Sequence, residues 1–162
     1  MYKPVIYVSI AEQTLSVCDG NQLITRYSVS TAAKGVGQCQ GSFQTPLGRH
    51  IIRAKVGGSC PLNAVFVGRR FTGEIYNEAL AKQFPNRDWI LTRILWLSGQ
   101  EPGVNRLGAV DSMRRYIYIH GTPDSEPMGI PASHGCIRMR NDEVVELFSS
   151  VPVYTQVIIE NE

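Results

Sequence analysis

The sequence predicts a mainly β protein with one substantial helix near its C-terminal end. Three observations carry this. The first third consists of short runs of strand-forming residues separated by turn signals, among them Asp19-Gly20-Asn21 and Thr45-Pro46-Leu47-Gly48. Tyr116-Ile117-Tyr118-Ile119 is a further apolar run of strand formers. Close to the end, Val144, Val145, Leu147 and Phe148 recur at helical spacing before a closing apolar run, Val153 to Ile159.

Taken in order, Val5 to Val8 is the first strand and Thr14 to Cys18 the second. Asp19-Gly20-Asn21 turns the chain into a returning strand, Leu23 to Val29. A glycine-rich loop, Lys34 to Gly41, precedes the Thr45 to Gly48 turn, and His50 to Ala54 resumes a strand. Gly57 to Pro61 is irregular, and Ile75 to Phe84 holds a short helix ended by Pro85. Trp89 to Leu97 is continuously apolar; its β-branched and aromatic content favours a buried strand over a helix. Gln100 to Gly108 is loop, and Asp111 to Arg115 forms one helical turn. The strand Tyr116 to Ile119 delivers His120 at its end, followed by a loop from Thr122 to Ser133 with three prolines. Asn141 is positioned to cap the C-terminal helix, with Asp142 and Glu143 in its first turn, where the helix dipole favours acids.

A chain of 162 residues fits one domain, 1–162, and is long enough to bury a core without disulfide staples. Its formal net charge of +2 is too small to argue for nucleic acid or a membrane surface as partner. The N-terminal apolar stretch is short and alternates like a strand, which predicts a cytoplasmic protein, or a periplasmic one if a signal has been removed. The four cysteines, Cys18, Cys39, Cys60 and Cys136, form no Cys-x-x-Cys pair, and three of them read as small partly buried thiols. His50 reads as a structural histidine.

Chemistry concentrates between Ile119 and Asn141. His120 lies sixteen residues before Cys136, and Cys136 sits in Ser133-His134-Gly135-Cys136-Ile137-Arg138. A free thiol with a pKa of about 8.5 is mostly protonated at neutral pH, so a nucleophilic cysteine needs a base or a field that favours the anion. Two histidines can serve as the base, while Arg138 and the helix opening near Asn141 can favour the thiolate. Main-chain N–H groups around Gly135 and Cys136 can hold an oxyanion, because glycine lets backbone approach a ligand closely. The same residues admit blander readings. His-x-Cys with a distant His is also a pattern for metal ligands, though no fourth ligand is evident nearby. Cys136 can also be a structural thiol. His134 can be base, substrate contact or loop support.

The run from Ser133 to Arg138 resembles the Ser/Thr-His-Gly-Cys-x-Arg core of the L,D-transpeptidase (YkuD) family. Ile119-His120-Gly121-Thr122 resembles its His-Gly-Thr segment. Gln13-Thr14-Leu15 with the Asp19-Gly20 turn, Ser28-Val29-Ser30-Thr31 and Thr45-Pro46-Leu47-Gly48 resemble further elements. Between Gly57 and Gly108 no landmark of the family is visible. The resemblance implies a β-sandwich-like fold with mixed sheets and peptidoglycan stem peptides or muropeptides as partners. It implies no metal and no organic cofactor. Cys136 would attack the bond between the L-centre of meso-diaminopimelate and D-alanine and form a thioester. His120 would be the base, with its ring oriented by the Gly121 carbonyl. His134, Gly135 and Cys136 would line the oxyanion site, and Ser133 would fix the turn. Arg138 would either hold the substrate carboxylate or brace the loop. Carbapenems would acylate Cys136. Water as acceptor gives an L,D-carboxypeptidase, the outcome expected for a cytoplasmic chain acting in wall recycling; an amine gives an L,D-transpeptidase. A sortase-like transpeptidase or a non-catalytic peptidoglycan-binding module are the alternatives from other classes.

Overall fold

The computed structural model describes residues 1–162. Ten strands form one mixed sheet that curls around a shared core. β1 (Pro4–Ser9), β2 (Thr14–Asp19) and β3 (Gln22–Ser28) form an antiparallel meander at one edge. The β2–β3 turn places Gly20 at φ 59°, a value open to glycine at little cost. β10 (Gln156–Glu160) runs parallel to β1 and antiparallel to β4 (Gly48–Val56), tying the C-terminal end into the middle of the sheet. Alternation explains the inward faces: Ile6 and Val8 of β1 and Val157 and Ile159 of β10 are buried, with their neighbours turned outward.

β7 (Ile90–Gly99) is the hub. One edge pairs with β4 along its later half and with β5 (Ala64–Val67) near its start; the other pairs with β8 (Tyr118–Gly121). Being covered on both faces, it is almost continuously buried, which is why its sequence shows no two-residue period. β8 in turn pairs in parallel with β9 (Ile137–Met139). The main core gathers residues from β1, β2, β4, β7, β8, β9 and β10 together with Val144 and Leu147 of α2 (Asn141–Ser150), which packs against β7 and β8. No helix is long and apolar enough to cross a membrane.

Several local expectations are corrected. Gly57–Gly108 contains a hairpin that the sequence reading missed, β5 with β6 (Arg70–Ile75), turning at Gly68 and Arg69, both at positive φ. α1 is confined to Glu78–Gln83, where Asn77 accepts from Leu80 N–H. Asn141 is not the cap of α2. Arg140 is, and the Asn141 amide is buried in hydrogen bonds to Asn63, Thr92 and Thr122. The strand carrying His120 begins at Tyr118, because Tyr116 adopts φ 58° and bends the chain before it. For the same reason β10 starts after Tyr154, at φ 69°, and not at Val153. Asp111 to Tyr116 is a chain of turns with one helical-type bond, Arg115 N–H to Asp111 O at 2.9 Å.

His50 is wholly buried in β4. Its Nδ1 donates to the Gly48 carbonyl at 3.1 Å, so Nε2 accepts from Ser112 Oγ at 2.8 Å. Burial pushes its pKa down to about 4. The unfolded chain, titrating near 6.5, then binds the proton first as pH falls, so stability is full above about pH 7 and declines towards pH 4, by on the order of 3 kcal/mol from this residue. Urea midpoints measured across this range should fall steeply in the wild type and less so in His50→Gln; equal slopes would remove His50 as the source.

Candidate active site

The register of β8 and β9 assembles the site. Ile119 pairs with Ile137, His120 with Arg138 and Gly121 with Met139. Cys136, one residue before β9, therefore lies level with Tyr118. Strand alternation puts Tyr118, His120, Cys136 and Arg138 on one face, with Cys136 and His120 a diagonal step of about 8 Å apart at Cα. Parallel neighbours need a crossover of a dozen or more residues, and the sixteen-residue separation of His120 and Cys136 supplies it.

His120 is 1% exposed. Its Nδ1 stands 2.6 Å from the Gly121 carbonyl, which can only accept, so Nδ1 carries the proton and Nε2 presents a lone pair. Burial lowers the pKa of the ring, which favours the neutral imidazole. Gly121 is required where it stands. A Cβ there would lie 2.3 Å from Asn141 Oδ1 and 2.6 Å from the Leu91 carbonyl. The opposing segment of β7 is a bulge in which Thr92 takes φ 74°, anchored through Thr92 Oγ1 to Asn141 at 2.7 Å.

Cys136 is half-buried at the mouth of a cleft of about 370 Å³. Its Sγ accepts from Tyr118 N–H and donates to the Tyr116 carbonyl, both at 3.3 Å. Burial drives its pKa up to about 12, against the smaller opposing effects of the Tyr118 N–H, Arg138 and Arg115. Arg138 and Arg115 do favour the thiolate, as the sequence suggested, but desolvation acts the other way and is the larger effect. Burial thus pushes both groups in the direction of the uncharged form.

Ser133 Oγ donates to the Cys136 carbonyl at 2.6 Å and accepts from Gly135 N–H at 3.2 Å, closing the turn before the cysteine. Gly135, at φ 129°, passes within 3.3 Å of the Gln44 carbonyl at its missing Cβ, and its own carbonyl accepts from Thr45 Oγ1 at 2.9 Å. The Cys136 N–H has no partner among the loop hydrogen bonds, which leaves it free as an oxyanion donor. His134 stands at the rim, its side chain 62% exposed. Arg138 is 5% exposed: its two terminal nitrogens meet Asp88 at 3.1 Å, Glu126 at 3.3 Å and the Ala132 carbonyl at 3.2 Å, while its buried Nε has no hydrogen-bond partner. These contacts tie Arg138 to Asp88 and to the Thr122–Ser133 loop. Asp88, absent from the sequence reading, also meets His134 Nδ1 at 3.3 Å. Burial would raise the Asp88 pKa, but His120, Arg138 and His134 hold it below the ordinary carboxylate value. It lies in the stretch without motif landmarks, and only its place before Trp89 would have hinted at it. No group of three or more His, Cys, Asp or Glu side chains is placed to hold a metal, and all four cysteines are unpaired.

A thiol, a buried imidazole with a free Nε2 on the same strand face and an unpaired main-chain N–H are the kinds of group that acyl transfer requires. The model of the L,D-transpeptidase catalytic domain (YkuD) family matches residues 3–159. The chain belongs to this family of enzymes. Over 44 residues it is 54% identical to YqjB of Bacillus subtilis, covering 27% of this chain and 25% of that protein. Over 43 residues it is 46% identical to YbiS of Escherichia coli, covering 26% and 14%. Both carry L,D-transpeptidase names. L,D-transpeptidase 3 from Mycobacterium tuberculosis shares the fold with a TM-score of 0.60, 14% identity and coverage of 99% of this chain and 62% of that one. An L,D-transpeptidase from Mycobacterium smegmatis gives 0.57, 18%, 98% and 59%. The matched stretches thus span a quarter or less of the curated relatives, and the chain about three fifths of these solved structures.

Alkylation of Cys136 by iodoacetamide, read by peptide mapping, should be slow at about pH 8 and still rising near pH 10. A plateau reached below pH 8 would mean a preformed thiolate–imidazolium pair.

Proposed function

We propose that this chain catalyses acyl transfer on peptidoglycan stem peptides, cleaving the bond between the L-centre of meso-diaminopimelate and D-alanine through a thioester on Cys136. The observation that carries the reading is the His120–Gly121 hydrogen bond at 2.6 Å, which fixes the tautomer whose free Nε2 belongs to the face shared with the sulfur. Nε2 takes the thiol proton as sulfur adds to the carbonyl carbon. The Cys136 N–H faces the oxygen as it becomes negative. Collapse breaks the C–N bond, and the imidazolium returns its proton to the leaving D-alanine amine. The acceptor then attacks the thioester, its proton passing to Nε2 and on to the sulfur as the thiol is released. Burial favours the uncharged form of both groups, so on this reading charge appears during attack and His120 acts as general base.

The names of the relatives support an amine from a second stem as acceptor. Water, the outcome expected from sequence, is the second reading. Crosslinking would place the protein against assembled wall, and hydrolysis would suit free muropeptides in the cytoplasm. Incubation with a tetrapeptide muropeptide and mass analysis separates them: crosslinked or D-amino-acid-exchanged product marks the amine, tripeptide plus D-alanine marks water. Absence of any product at the diaminopimelate–D-alanine bond would reject the function.

Cys136→Ala should abolish turnover while the cooperative unfolding transition persists. His120→Ala should slow acylation by about 10²–10⁴-fold, and far more than His134→Ala; the reverse order would move the base to His134. Solved structures include LdtMt1 in complex with imipenem. Imipenem should therefore add one covalent equivalent to this chain by intact mass, and none to Cys136→Ala.

A further inference from the structure

A stem peptide is rich in carboxylates, and Arg138, for which carboxylate binding was one of two expected roles, is buried with its terminal nitrogens turned to Asp88, Glu126 and the Ala132 carbonyl. The cleft of Cys136 holds two other guanidinium groups, Arg69 and Arg115. Arg115 is also spent: it donates to the carbonyls of Gly37, Gln38 and Gln44 and to Ser42 Oγ, at 2.6–3.2 Å, and so clamps the Gly37–Gln44 loop against the site. Arg69 differs. It occupies the tip of the β5–β6 hairpin at φ 65° and meets no carboxylate and no backbone carbonyl. Its guanidinium lies 4.5 Å from the Tyr116 ring centroid and 4.9 Å from that of Trp96. One hydrogen bond, Nη1 to Tyr118 Oη at 3.1 Å, sets its rotation. Two aromatic rings and one phenol therefore hold the group in place while Nε–H and Nη2 keep their donors.

Tyr118 joins this cation to the sulfur. Its hydroxyl accepts from Arg69, and its backbone N–H donates to Cys136 Sγ at 3.3 Å. Arg69 thus stands about one tyrosine side chain from the nucleophile, in the same cleft. A guanidinium fixed in this way suits the two-pronged binding of a carboxylate and loses little side-chain freedom when it does so.

We propose that Arg69 is a specificity-determining residue that anchors a carboxylate of the acyl donor beside the carbonyl attacked by Cys136. Resting on the stem-peptide reading above, the anchor takes either the terminal carboxylate of the tetrapeptide or the side-chain carboxylate of diaminopimelate. Both present the same chemistry, and amidation of each in turn distinguishes them.

The test has two arms. The first needs no substrate: Cys136 is alkylated with iodoacetate and with iodoacetamide, and the ratio of rates is measured by peptide mapping in the wild type, Arg69→Gln and Arg69→Lys. The anion should be favoured in the wild type, lose several-fold of that advantage in Arg69→Gln and regain part of it in Arg69→Lys. An unchanged ratio overturns the proposal. The second arm compares kcat/KM for the tetrapeptide with its C-terminal amide and with its diaminopimelate side-chain amide. One of the amides should be about 10–100-fold poorer in the wild type, the range of a charged hydrogen bond, and that ratio should collapse towards one in Arg69→Gln. A uniform loss on all three substrates would reduce Arg69 to a packing residue and overturn the anchor. Failure of the wild type to process any stem peptide would sink the proposed function, and the alkylation ratio would still decide whether Arg69 serves carboxylates.

Discussion

Three residues of parallel pairing, Ile119–Gly121 against Ile137–Met139, hold the candidate site together, and much of the surrounding structure serves to keep that ladder in register. A slip of one position would turn His120 to the opposite face from Cys136. So short a ladder is weak alone. It is flanked on one side by β7 and on the other by Ser30, which exchanges backbone bonds with Arg138 at 2.9 and 3.0 Å. The crossover between the two strands is stapled from within: Arg138 reaches Glu126 and Ala132, Arg140 reaches the carbonyls of Asp124 and Glu126, and Asn141 reaches that of Thr122.

Electrostatics in the site follow from that burial. Enclosure in protein raises the thiol and lowers the imidazole, in both cases towards the uncharged form. Nearby guanidinium groups do not reverse this, since Arg138 and Arg115 are committed to carboxylates and carbonyls that already balance or fix them. What the enclosure provides instead is geometry: a proton on Nδ1 held by a carbonyl, a free lone pair on Nε2, and a main-chain donor beside the sulfur. In the proposed mechanism the Gly121 carbonyl takes the orienting place that a carboxylate has in a Ser-His-Asp triad.

Much of this was legible from local pattern. The β1–β2–β3 meander announced itself through alternation and the Asp19-Gly20-Asn21 turn, and Cys136 and His120 through residue chemistry in a short span. Legibility failed where a residue's role is set by partners distant in the chain. Asn141 has the composition of a helix cap, yet contacts with Asn63 and Thr92 draw it inward and leave Arg140 at the cap. The β5–β6 hairpin was missed because β6 is an exposed edge without an apolar period and its turn uses arginine at positive φ. Asp88 belongs to no motif and matters only because the fold brings it against Arg138 and His134.

By itself, the sequence determined the β class and the closing helix and pointed to Cys136 and His120 as the candidate pair, because periodicity, turn chemistry and residue reactivity are local properties. Tertiary structure decided that burial raises the thiol and lowers the imidazole, that Arg138 faces Asp88 and Glu126, and that Arg69 lines the cleft of Cys136 without a carboxylate partner. Desolvation and the commitment of a charge to its partners depend on atoms brought together from the whole chain, and these are quantities that no stretch of sequence contains.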